Sequence, residues 1–128
     1  MNESEQPSPT FAAALELFNA GRYLASHELF EELWEGTQGE DSDFYKGLIQ
    51  ATVALHHLQE GRIEGARKLY AGHRRFLAHY LPTHKGLDLA TFLEEMQRCF
   101  GEAARSVPAA QLLADPAARP RLRRLEGG

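Results

Sequence analysis

Two short stretches of this chain hold residues whose types and spacing suit chemistry. His27 and Glu31 stand one helical turn apart in an acidic run that also contains Glu28 and Trp34, and Gln50 and His57 stand two turns apart further on. Residues four apart on a helix are neighbours, so His27 and Glu31 can hydrogen-bond. An imidazole beside a carboxylate is half of a metal site, or an acid–base couple able to move a proton near neutral pH. The run lacks the second histidine of the zinc-protease helix motif, because position 31 is Glu. Gln50 and His57 share one helix stripe and would complete a polar cluster if that stripe meets the helix of His27. Structural hydrogen bonding at the edge of an apolar face is the plainer reading of the same residues, and Trp34 is most simply core. The candidate binding set is therefore His27, Glu28, Glu31, Trp34, Gln50 and His57, with no catalytic residue assigned and the metal and cofactors unknown.

The elements that must position these residues are helices. Ser8 followed by Pro9 is a cap and a first helical residue, so a helix is expected from Pro9 to Ala20, stopped by Gly21. A second is expected over Arg22 to Glu35, and a third from Asp41 or Ser42 to Glu60, stopped by Gly61. A fourth is read from Arg62 to Leu81 before Pro82, and a fifth from Asp88 to Arg105 before Pro108. No segment alternates in the manner of a strand. The third helix has one apolar stripe of Phe44, Gly47, Leu48, Ala51, Leu55 and Leu58 and a second of Tyr45, Ile49, Thr52 and His56, which places it centrally. His73 falls within the apolar stripe of the fourth helix and Cys99 within that of the fifth, so both read as core residues.

An echo at a spacing of 40 residues ties the halves together: Ala14, Leu15, Gly21, Arg22 and Leu29 match Ala54, Leu55, Gly61, Arg62 and Leu69. Each copy reads as helix, glycine turn, helix, and such hairpins stack because one alone cannot bury its apolar face. The expected fold is all-α, a compact antiparallel bundle of about five helices built from two related hairpins plus a closing helix. Residues 1–8 are read as a disordered N-terminus, 9–106 as the helical domain, and 107–128 as a mostly flexible basic tail.

Composition narrows the function. A net charge of −4 argues against a whole-molecule attraction to nucleic acid. No apolar run approaches the roughly 20 residues of a membrane span, and the polar, acidic start does not read as a signal peptide. A lone cysteine, Cys99, fits a reducing cytoplasm. No phosphate-binding glycine loop, nucleophile elbow or paired-cysteine spacing occurs.

The residues Phe18, Asn19, Gly21, Tyr23, His27-Glu28, Glu31 and Leu33-Trp34, then Gly47-Leu48-Ile49-Gln50, Ala54-Leu55-His56-His57, Gly61 and Gly65-Ala66, resemble the family called domain of unknown function 309, over about Phe11 to Leu81. Ser26 stands where alanine is expected. The resemblance implies an all-helical bundle of a small prokaryotic family and carries over no catalytic role. Two functions remain. The leading one is a non-enzymatic helical-hairpin module presenting a groove to a peptide or partner protein. The alternative is a metal-dependent or acid–base enzyme centred on His27 and Glu31 with Gln50 or His57. The two apolar sides of the third helix also suggest a homodimer.

Overall fold

The computed structural model describes residues 8–103 and 109–125. The expectations for residues 1–7 and for the end of the fifth helix at Arg105 lie outside them. Four helices follow in sequence: α1 (Pro9–Asn19), α2 (Tyr23–Glu35), α3 (Ser42–Gln59) and α4 (Ile63–Leu77). Ser8 caps α1 as its type suggests, its hydroxyl accepting from the Phe11 amide at 3.1 Å. Gly21 and Gly61 take φ values of +80° and +79°, the left-handed conformation that lets a helix end and the chain reverse at once. Each helix packs on the next, and α3 also meets α6 (Ala109–Ala114). The expected all-α bundle with a central third helix is what forms.

α3 is central because α2 and α4 cover its two sides, the sides on which the expectation of a homodimer rested. Leu48, Ala51, Thr52, Ala54 and Leu55 are fully buried. Its approach to α4 is close: a Cβ built on Gly47 would lie 2.7 Å from the Leu77 side chain. Around this axis the aromatic rings meet edge to face, Phe11 on Phe30 and Tyr45, and Phe18 on Tyr23 and Phe92. Phe92 comes from α5 (Leu89–Ala103), which closes the bundle with Leu89, Met96 and the buried Cys99. His73 is fully buried, as its place in the stripe suggests.

Two features differ from the sequence reading. α4 stops at Leu77 and tightens into a 3₁₀ turn over Ala78–Tyr80, because Leu81 must turn extended before Pro82. Between α4 and α5 there is also a strand pair, β1 (Thr83–His84) with β2 (Leu87–Asp88), antiparallel around a two-residue turn at Lys85 and Gly86. Two residues per strand are too few to display an alternation, which is why the pattern hid them. Asp88 does cap α5, accepting from the Thr91 amide at 3.1 Å.

Candidate functional site

His27 and Glu31 pair as their spacing requires, Nε2 to carboxylate at 2.9 Å, with His27 23% and Glu31 49% exposed. The bond lies at the border of the face that α2 buries through Tyr23, Ser26 and Phe30. The other imidazole nitrogen, Nδ1, is buried without a hydrogen-bond partner among the described residues. With the proton on Nε2, Nδ1 is left as an unfilled acceptor. Glu28 points elsewhere, onto a shallow groove of about 410 Å³ that Leu24, His56 and Gln59 also line. Trp34 donates its indole N–H to Ser42 Oγ at 3.1 Å. The Lys46 ammonium sits 5.8 Å from the Trp34 ring and 5.7 Å from Phe76, bridging α2 and α4 over the top of α3.

Gln50 and His57 do not join this group. A Cβ on Gly72 of α4 would fall 1.9 Å from Gln50 Oε1, so the amide occupies the space that the glycine leaves empty. His57 lies against Gly65 and accepts from Arg62 Nε at 3.0 Å through Nδ1. Partial burial, then the charges of Arg62 and His56, hold the His57 imidazole below its usual pKa. Their stripe of α3 thus faces α4 rather than α2. Of the cluster expected from sequence, the structure brings together His27 and Glu31, and gives the other two separate partners across the bundle. Among the described residues no three His, Cys, Asp or Glu side chains converge into a possible cation site.

Sequence reasoning missed two constellations. In the first, Asp41 Oδ1 meets His84 Nε2 at 2.8 Å and Oδ2 meets Lys85 Nζ at 3.1 Å, tying the β-hairpin to the start of α3. Burial alone would raise the Asp41 pKa, but hydrogen bonds from His84 and Lys85 outweigh it and hold the carboxyl below its ordinary value. The His84 ring packs between Phe44 and Tyr80, 4.7 and 4.6 Å away.

The second constellation grips residues 119–125, which fall within the stretch read as a mostly flexible basic tail. Asn19, at the end of α1, donates from Nδ2 to the Leu122 carbonyl at 2.9 Å and accepts from the Leu122 amide at 2.8 Å. One side-chain amide thereby satisfies both backbone groups of a single extended residue. Glu95 of α5 accepts from the Arg121 amide at 2.9 Å with one oxygen and from the Arg123 guanidinium at 2.7 Å with the other. The segment then joins the edge of the hairpin through one antiparallel bridge, Leu87 opposite Arg124: the Asp88 amide donates to Arg123 O at 3.0 Å, and the Leu125 amide to Gly86 O at 2.7 Å. The Leu122 side chain is 2% exposed and belongs to the core. A leucine set among arginines carries no periodicity, so only Asn19, within the family-like motif, was a possible signal.

Comparison with known proteins agrees with the resemblance. The model of the family Domain of unknown function (DUF309) matches residues 11–69, from α1 into the first turns of α4. An uncharacterized protein of Aquifex aeolicus (strain VF5) is 29% identical over 83 residues, which is 62% of this chain and 25% of that protein. The chain therefore spans about a quarter of the length of the curated relative it matches. Neither description names an activity. Asn19, His27, Glu31, Trp34, Gln50 and His57 fall inside the family match, and Glu95 and residues 119–125 outside it.

Proposed function

We propose that this protein is a non-enzymatic helical module that binds an extended polypeptide segment, a leucine flanked by arginines, in the cleft between α1, the β-hairpin and α5. The observation that carries the reading is how that cleft holds residues 119–125 of the chain itself. Asn19, Glu95, Gly86 and Asp88 all bond the segment's backbone, and strand addition of this kind is a recurrent mode of peptide recognition. Selectivity then comes from the Leu122 side chain, buried beside Asn19, and from the Arg123–Glu95 pair. A partner protein supplying such a segment competes with residues 119–125 for the cleft. The helical domain is read as residues 9–106, with 107–128 carrying the internal occupant.

The enzyme reading draws no support from the geometry, because Gln50 and His57 are engaged with Gly72, Gly65 and Arg62 rather than with His27 and Glu31. Among the described residues no helix is long and apolar enough to cross a membrane.

The test uses the full chain carrying Leu122→Asp, which weakens the internal occupant, and a fluorescent peptide with the sequence of residues 118–125. Saturable binding is expected, absent with a scrambled peptide and lost on adding Asn19→Ala. Circular dichroism checks that the variant keeps its helices, and Leu122→Ala replaces it if it does not. No binding to a folded variant, or binding indifferent to Asn19→Ala, overturns the reading. Light scattering that gives twice the monomer mass would identify a second copy of the chain as the source of the segment.

A further inference from the structure

Between α5 and the segment that follows α6 lies a cavity of about 440 Å³, within the size range of roughly 300–1,000 Å³ typical of small-molecule sites. It is a separate space from the groove beside Glu28. Four arginines, Arg98, Arg119, Arg121 and Arg123, line it with two glutamates, Glu95 and Glu102. That excess of positive charge sits on a chain whose net charge is −4, so it runs against the composition of the molecule.

The four arginines are not equivalent. Arg119 is held in place, donating from Nε to the Leu113 carbonyl at 2.8 Å and from Nη1 to the Ala20 carbonyl at 3.3 Å. Arg123 is neutralised by Glu95 at 2.7 Å. Both oxygens of Glu95 are thereby occupied, the second by the Arg121 backbone amide at 2.9 Å. The guanidinium groups of Arg98 and Arg121 have no hydrogen-bond or ion-pair partner among the described residues, and both residues line the cavity, one from α5 and one from the segment. A guanidinium is a planar fork of donors that fits two oxygens of a phosphate or carboxylate at once, and two unpaired forks on residues bordering one space suit an oxyanion of more than one charge. The remaining wall is unreactive. Leu112 and Pro116 are apolar, and burial pushes the Cys99 thiol up to about 12, so no thiolate is present to repel an anion or attack it.

We propose that this cavity binds a small phosphate-bearing molecule, its oxyanion held between Arg98 and Arg121, with Arg119 supplying further positive charge from a fixed position. The segment that carries Arg121 is the one held by Asn19 and Glu95, so a bound anion would also fasten that segment to α5. The site itself does not depend on the peptide-binding reading: it is assayed on the intact chain with residues 119–125 in place, and no peptide is added. A failure here leaves peptide binding standing, and the reverse holds too.

The experiment is a calorimetric titration of the full chain with sodium pyrophosphate, at an ionic strength kept constant with sodium chloride. One saturable site is expected. Arg98→Gln with Arg121→Gln should weaken it by at least about tenfold, since two charge-assisted hydrogen-bonding groups are removed. Both side chains are exposed, so the double variant keeps the fold, and circular dichroism checks this. Arg22→Gln, an exposed arginine on the α1–α2 turn and outside the cavity, should bind as the wild type does. The proposal is overturned by the absence of saturable binding to the wild type, by undiminished binding to the folded double variant, or by an equal loss in Arg22→Gln, which would mean diffuse attraction rather than a site.

Discussion

The two helix hairpins turn in the same way and differ in almost everything they present. At the first turn the Gly21 amide donates to Phe18 O and the Arg22 amide to Leu17 O, both at 2.9 Å. Forty residues later Gly61 donates to Leu58 O at 3.1 Å and Arg62 to His57 O at 2.9 Å. The next helix begins identically in each, Ser26 to Arg22 O and Ala66 to Arg62 O, both at 3.1 Å. Yet α2 presents Glu28, Glu31, Glu32 and Glu35, where α4 presents Arg67, Lys68, Arg74 and Arg75. The half-buried Leu33 corresponds to the fully buried His73. Gly21 lies under Arg119, with a Cβ there falling 2.9 Å from its Cζ, while the space beside Gly61 is open. A helix–glycine–helix reversal needs only backbone bonds and one left-handed residue. Everything outside those bonds is free to diverge, and it has diverged toward the contacts each hairpin makes with the rest of the chain.

The equivalent leucines give the largest effect. Leu55→Ala, at a fully buried site in the helix covered on both sides, should cost about 2–5 kcal/mol in urea denaturation. Leu15→Ala, on the outer helix of the first hairpin, should cost less. Equal losses, or a loss below about 1 kcal/mol at Leu55, would break the claim that α3 is the axis of the bundle.

The acid response should belong to the second hairpin. Burial holds the His73 imidazole down at about 4, against 6.5 in the unfolded chain, despite the hydrogen bond at Tyr70 O. Below 6.5 the unfolded chain takes up a proton that the folded chain refuses, so acid favours unfolding. Stability should fall as pH drops from 6.5 to about 4, by up to about 3 kcal/mol, and be insensitive to this group above that window. Asp41, whose pKa is lowered, adds a loss only at more acidic pH. Denaturation midpoints at pH 7 and pH 4.5, compared with those of His73→Met, test this; a wild type as flat as the variant would rule it out.

Smaller effects separate the turns. Alanine in the left-handed conformation of Gly61 should cost about 1–2 kcal/mol. At Gly21 the same change should cost more, because Arg119 must also move, and should raise hydrogen exchange at the Leu122 amide. Identical penalties would mean that Arg119 contributes nothing to the first turn. The smallest change is Ser26→Ala, which removes the 2.9 Å bond to the Ala14 carbonyl and makes position 26 match Ala66. A loss of about 0.5–1.5 kcal/mol is expected by thermal denaturation.

Much of this fold was legible locally. Ser8 and Asp88 as caps, Gly21 and Gly61 as stops, and the stripe from Phe44 to Leu58 are short-range signals, and each has its expected place. The His27–Glu31 bond was legible too, because a single turn of one helix makes it. Periodicity says which residues share a stripe, and it is silent on which neighbour covers that stripe. Gln50 and His57 meet α4 because Gly72 and Gly65 lack side chains there, a fact about a different helix. The grip of Asn19 on Leu122 spans 103 positions, and the cavity of Arg98 and Arg121 joins two elements that no local pattern links. The amino-acid sequence by itself determined the helices, their caps and their apolar faces, since those depend on neighbours within a turn or two. Only the tertiary structure decided which polar residues meet, because that depends on the packing of distant segments against one another.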